Sequence, residues 1–188
     1  MSQRVVTSFL VFAAGAVLVL AYLLPPRIGH PVTPFMESAA ENRAGQLVTK
    51  LAVEAHRPTV VVFVLPDCPC SIEYEPYVHH VYRAYGDQAT FIEVVAGDGT
   101  AVEQWKQQQQ TPFAVIGDQD GNVAHEFGAL RSAYTALVLN GRIVKLWPGY
   151  SAGMLHELGG LIAAETKGAA VSLDLAGAPE RLTSGCPL

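Results

Sequence analysis

Charge is scarce in this chain: 12 Lys and Arg against 17 Asp and Glu in 188 residues leave a formal net charge of −5. The basic residues are scattered, so there is no electrostatic footprint for nucleic acid, and that class of partner is set aside. There is no glycine-rich phosphate loop, no His-Glu-x-x-His pair and no Ser-His-Asp order in a matching context. Cysteine is sparse too. The chain has three, Cys68, Cys70 and Cys186, without the second pair that a structural zinc site would use.

What the sequence does have begins with Val5 to Leu24, twenty residues with no charge, close to the roughly 20 that cross a hydrocarbon core as a helix. The run exceeds the apolar region of a cleavable signal peptide and ends Tyr22-Leu23-Leu24 before Pro25-Pro26-Arg27 rather than at a small-x-small site, so it reads as an uncleaved N-terminal transmembrane anchor. Pro25 to Pro34, with four prolines and a glycine, suits an extended spacer. The division expected is therefore anchor 1–24, spacer 25–34, one domain over 35–167 with a leading helix, and a coil tail over 168–188. A domain of that size has enough interior for a single core.

The chain is organised around Thr59 to Tyr85. Val60 to Leu65 is apolar and β-branched without alternation, the pattern of a strand buried on both faces. Tyr74, Tyr77, Val78, Val81 and Tyr85 recur at three and four residues, predicting a helix over Ser71 to Tyr85, with Ser71 as its cap. Cys68 and Cys70 thus lie at a helix N-terminus, where the macrodipole and free N–H groups favour a thiolate. Asp67, Glu73 and Glu75 nearby oppose it.

Elsewhere, Phe35 to His56 carries an apolar stripe and reads as a helix packed on a sheet. Thr90 to Ala96 reads as a strand and Thr100 to Gln110 as a helix. Phe113 to Ile116 and Val123 to Phe127 flank Gly117-Asp118-Gln119-Asp120-Gly121-Asn122, predicting two strands joined by a tight turn. Asn140-Gly141 marks a hairpin between Thr135 to Leu139 and Arg142 to Trp147. Ser151 to Lys167 reads as a closing helix. Trp105, Trp147 and the tyrosines at helical spacing read as packing residues.

From Thr59 to Lys167 the chain resembles the thioredoxin-like superfamily, in particular redoxins and membrane-anchored thiol–disulfide proteins of the bacterial envelope. Phe63 stands five residues before Cys68 and Pro76 eight after it, the register in which that superfamily places its nucleophilic cysteine. The resemblance implies an α/β three-layer fold, with a mixed central sheet, helices on both faces and here an added N-terminal transmembrane helix. It also implies thiol–disulfide exchange at Cys68 with no cofactor. In that register Ser71 occupies the resolving position and Cys70 falls one residue short, while Tyr134 stands where the superfamily usually has a cis-proline. The peroxidase pattern Pro-x-x-x-Thr/Ser-x-x-Cys fails at Leu65 and at Asp67.

Three readings of the cysteines stay open. In the first, Cys68 attacks and Cys70 or Cys186 resolves; the tail is long enough, at up to about 60 Å if extended, for either. In the second, Cys-Pro-Cys holds Cu(I) as a soft-ligand pair, although His125, His79 and His80 are not evident ligands. In the third, Cys68 or Cys70 pairs permanently with Cys186 and the domain is a docking module. A paired-cysteine site has most use in an oxidising compartment. The expected setting is therefore a single-pass inner-membrane protein, its domain facing the periplasm and its partners protein thiols and disulfides of the cell envelope.

Overall fold

A computed structural model describes residues 29–188; the predicted anchor and the first four residues of the spacer lie outside the described residues. Five strands form the main sheet, in the order β4-β3-β2-β5-β6. They are β2 (Thr59–Val64), β3 (Thr90–Val95), β4 (Ala114–Gly117), β5 (Tyr134–Leu139) and β6 (Arg142–Trp147). β2 pairs in parallel with β3 and antiparallel with β5, so the sheet is mixed. All six residues of β2 are buried, as the unbroken Val-Val-Val-Phe-Val run requires of the central strand.

Alternation along β2 feeds two apolar layers. Val60, Val62 and Val64 face Tyr74, Val78, Val81, Leu155, Leu158 and Ile162, the buried faces of helices α2 (Pro69–Tyr85) and α5 (Ala152–Thr166). Val61 and Phe63 face Ala40 of α1 (Pro34–Glu41) together with Val123 and Phe127 of α4 (Asn122–Phe127). The remaining helix is α3 (Gly99–Gln109), whose Trp105 is buried in the first layer. Helices on both faces of a mixed sheet give the thioredoxin-like three-layer fold. Among the described residues no helix is long and apolar enough to cross a membrane.

Two elements differ from expectation. The leading helix ends at Glu41 rather than running to His56. Residues beyond it bond to the open edge of β6 instead, with Gly45 N–H donating to Ile143 C=O at 2.7 Å, Val48 N–H to Gly141 C=O at 2.8 Å and Ile143 N–H to Gln46 C=O at 3.0 Å. An exposed sheet edge offers unpaired backbone groups, and this segment satisfies them.

The second difference is Val123 to Phe127, which forms α4 rather than a strand. Both oxygens of the buried Asp118 carboxylate accept from the helix start, from Val123 N–H at 3.0 Å and Ala124 N–H at 2.8 Å, satisfying donors a helix terminus leaves open. Periodicity alone does not separate a short apolar run in a strand from one in a helix. Asp118→Ala should cost about 1–2 kcal/mol, the range for loss of such a cap, read as a lower urea midpoint at unchanged slope. An unchanged midpoint would remove Asp118 from the account of this turn.

The hairpin is as expected: Asn140 and Gly141 both take positive φ, 51° and 70°, which suits the two-residue turn between twisted strands. The tail is mostly coil, but it is docked. Leu173 and Leu175 are buried in the first layer, and β7 (Thr183–Ser184) pairs antiparallel with β1 (His30–Pro31). Tyr150 clamps the other side, exchanging backbone hydrogen bonds with Thr183 at 2.9 and 3.0 Å.

Candidate active site

Cys68 lies beyond the carboxyl end of β2, on the turn into α2, and is the N-cap of that helix in extended conformation (φ −80°, ψ 118°). Ser71, read above as the cap, lies instead in the first turn, and its Oγ accepts from Leu65 N–H at 3.1 Å. Cys68 therefore stands at the dipole's positive end with no side chain competing for the free N–H groups.

Because β5 runs antiparallel to β2, its start lies beside the end of β2. Phe63 pairs with Tyr134, and Ala133, at φ 62°, donates its N–H to Phe63 C=O at 2.8 Å. This delivers Ser132 to Cys68, with Oγ donating to Sγ at 3.4 Å. The tail arrives alongside Ser132, whose N–H donates to Cys186 C=O at 2.8 Å. Cys186 Sγ is 2.8 Å from Cys68 Sγ and Cys186 N–H donates to Cys68 Sγ at 3.3 Å. All three cysteines are free thiols, with Cys68 and Cys70 buried and Cys186 half-buried.

The electrostatics separate the three. Burial pushes the Cys68 thiol up, but donation from Cys186 Sγ, from Ser132, and from the backbone N–H groups of Cys186 and Ser71 outweighs it and brings it down to about 6. Cys70, two residues on, is pushed up to about 12 by burial, by the neighbouring Cys68 charge and by its own hydrogen bond to Cys68. Cys186 is raised chiefly because its S–H is spent on Cys68. At neutral pH the arrangement is one thiolate, Cys68, beside the protonated thiols of Cys186 and Cys70. Glu75 does not act on this centre, contrary to the sequence reading: it is 2% exposed and faces Glu93 and His79.

Alkylation of Cys68 in the reduced protein should therefore rise with pH through a midpoint near 6 and level off, while Cys70 stays unmodified up to pH 8. Ser132→Ala should move that midpoint upward and slow alkylation at pH 6 about two- to threefold, through a smaller thiolate fraction. An unmoved midpoint, followed by iodoacetamide labelling and mass spectrometry, would show that Ser132 does not stabilise the thiolate. Ser132 went unnoticed in the sequence. Its only signal was its place two residues before Tyr134, the position that faces the first cysteine in the superfamily register. Tyr134 is buried there, and among the described residues no peptide bond is cis.

The copper reading finds no added ligand: among the described residues no group of three or more His, Cys, Asp and Glu side chains is arranged to hold a metal ion. His79 Nε2 lies 2.9 Å from Glu75, His80 Nδ1 lies 2.6 Å from Asp174 C=O, and His125 sits on α4.

The sheet order and the cysteine at the β2–α2 junction define a thioredoxin-like thiol–disulfide oxidoreductase. Residues 28–145 match the AhpC/TSA family, and the chain belongs to that family. Among solved structures it is similar to dsbF from MTB, captured in mixed oxidized and reduced forms, at 25% identity and TM-score 0.52 over 60% of this chain and 83% of that one. It shares its fold with a DsbE-type thiol:disulfide interchange protein from Chlorobium tepidum (14% identity, TM-score 0.57, 65% of this chain and 97% of that one). Bacterioferritin comigratory protein of Xanthomonas campestris shares it too (16% identity, TM-score 0.52, 73% and 99%). No curated protein matches the chain.

Proposed function

We propose that this protein is a membrane-anchored, extracytoplasmic thiol–disulfide oxidoreductase in which Cys68 is the attacking thiol and Cys186 the resolving one. The observation that carries the reading is the 2.8 Å approach of Cys186 Sγ to the Cys68 sulfur. The Cys68 thiolate attacks one sulfur of a partner's disulfide. A Cys68–partner disulfide forms and the partner's other sulfur leaves as a thiolate. Cys186 then loses its proton to solvent and attacks Cys68 Sγ, forming Cys68–Cys186 and freeing the second partner thiol. Two electrons have passed from the dithiol to the partner; oxidation of a partner is the same path reversed.

Cys70 is left outside this cycle. Its thiol is buried, and a bridge across a single intervening residue is geometrically constrained. Peroxide as substrate is not proposed, because Leu65 stands where the peroxidase pattern needs Thr or Ser. A permanent structural bridge is less well supported than an exchanging one: a half-exposed Cys186 and a stabilised Cys68 thiolate both ease reopening.

Val5 to Leu24 supports the anchor, and the use of paired thiols supports the periplasmic side. Reduced full-length protein in sealed inner-membrane vesicles of known orientation tests the location: a membrane-impermeant maleimide should label Cys68 only from the periplasmic face and the protein should resist carbonate extraction. Labelling from the cytoplasmic face, or release by carbonate, would overturn that part. The chemistry is tested by mixing reduced protein with oxidised glutathione and following loss of free thiols. Two thiols lost in step, and none lost in Cys68→Ser, is the expected result; loss unaffected by that substitution would overturn it.

A further inference from the structure

The tail does more than bring a sulfur to Cys68. Residues 185–188 lie antiparallel against residues 130–132, with Ser132 N–H donating to Cys186 C=O at 2.8 Å, Gly185 N–H to Ser132 C=O at 2.9 Å and Leu188 N–H to Leu130 C=O at 3.2 Å. Arg131 Nε adds a bond to Gly185 C=O at 2.7 Å. This is strand addition to a short backbone edge, which sets a peptide's direction and register whatever its side chains, and leaves selectivity to the pockets those side chains meet.

Three positions are selective. At Gly185 a Cβ would come 2.0 Å from Ser132 Oγ and 3.1 Å from Ser132 C=O. Any side chain there displaces the hydroxyl that donates to Cys68, so the residue before the cysteine has to be glycine. Pro187 pairs with Arg131 as the non-hydrogen-bonded partner of the bridge, so its missing N–H costs nothing and this position is permissive. Leu188 lines a cavity of about 290 Å³ with Phe63, Leu65, Val94 and Ala96. Leu188 is itself 38% exposed and leaves room for a larger apolar side chain.

We propose that Gly185-Cys186-Pro187-Leu188 is a tethered copy of the substrate, and that partner polypeptides exchange with Cys68 through an extended Gly-Cys-x-apolar segment laid on the same edge. The proposal rests on Cys68 being the exchanging thiol. Tail and partner need the same N–H and C=O groups of Ser132, so they occupy the edge in turn. The tail leaves as the partner's cysteine comes onto Cys68; Cys186 then attacks Cys68 Sγ from the side opposite the partner's sulfur, and the tail settles back on the edge once the released segment has left it.

The test uses full-length protein carrying Cys186→Ser, in which the tail still competes but the Cys68–peptide disulfide accumulates. The probes are Ser-Gly-Cys-Pro-Leu, Ser-Val-Cys-Pro-Leu and Ser-Gly-Cys-Pro-Ser, each with its cysteine joined to 5-thio-2-nitrobenzoate. Attack by Cys68 on the peptide sulfur releases the coloured thiolate. The Gly-Cys-Pro-Leu probe should react about tenfold or more faster than the valine probe, and about threefold or more faster than the probe ending in serine, as expected for one steric and one apolar contact. Rates within about twofold for all three would overturn the proposal. So would failure of every peptide while the symmetric aryl disulfide still reacts, because the edge then takes no peptide. If the aryl disulfide also fails, Cys68 is not an exchanging thiol and the proposed function falls as well.

Discussion

Replacing Cys186 by serine is expected to turn a multiple-turnover exchanger into one that stops after a single attack. Serine keeps a hydroxyl to donate toward the Cys68 sulfur, so the thiolate and the first step survive. The second step loses its nucleophile. In the wild type that nucleophile is tethered on the same chain, an effective concentration above the thiol pool that would replace it. Turnover of a disulfide substrate should fall about 100-fold or more, with a mixed disulfide on Cys68 accumulating as the visible species. Cys70→Ser should leave turnover within about twofold, because a thiol pushed up to about 12 contributes little thiolate at neutral pH. The opposite pattern, with Cys70→Ser blocking turnover and Cys186→Ser not, would transfer the resolving role to Cys70.

The second large effect concerns stability and lies away from the thiols. Glu93 on β3 is fully buried, and it meets Glu75 of α2, which is 2% exposed. Trp105 Nε1 donates to Glu93 at 2.7 Å. Thr111 Oγ1 donates to both carboxylates, at 3.3 and 3.4 Å. Burial, then the neighbouring Glu75, hold Glu93 well above the usual carboxylate range, and burial raises Glu75 too. His79 beside them is pushed down by burial and offers no full counter-charge at neutral pH. A carboxyl raised in the folded state favours folding below its unfolded value of about 4.3, and that stability is lost as pH rises through the raised folded value.

Glu93→Gln keeps an acceptor for Trp105 and gains an N–H for Glu75 while removing the charge. It should stabilise the protein by about 1–3 kcal/mol at pH 7–8 and flatten the decline toward high pH, measured as urea midpoints from pH 5 to 9. A variant destabilised across that whole range would mean that the native structure depends on the ionised pair.

How much of this was legible in the sequence follows from which interactions are local. The β2–α2 junction was readable because a run of β-branched residues, a period of three to four and the Phe63, Cys68 and Pro76 spacing all act within one stretch of chain. The Asn140–Gly141 hairpin was equally local. What escaped depends on contacts distant in sequence. The leading helix stops at Glu41 because the β6 edge, roughly a hundred residues away, takes the segment that follows. Val123 to Phe127 became a helix because Asp118 was already placed to cap it. The choice between Cys70 and Cys186 could not be made from spacing, since the tail's path depends on Tyr150 and β1 clamping Thr183 and on the Ser132 edge receiving Gly185 and Cys186. Glu75 looked like a negative neighbour of the cysteines by sequence distance, yet the helix turns it toward Glu93.

In the proposed cycle Cys68 and Cys186 are the working pair. The most direct measurement is a non-reducing peptide map of full-length protein equilibrated in glutathione buffers of increasing oxidising strength, then acid-quenched and alkylated in denaturant before digestion. A single bridge, Cys68–Cys186, should appear and disappear reversibly along the series while Cys70 is recovered alkylated throughout. A Cys68–Cys70 bridge, or a Cys186 that remains free when Cys68 is fully oxidised, would contradict it.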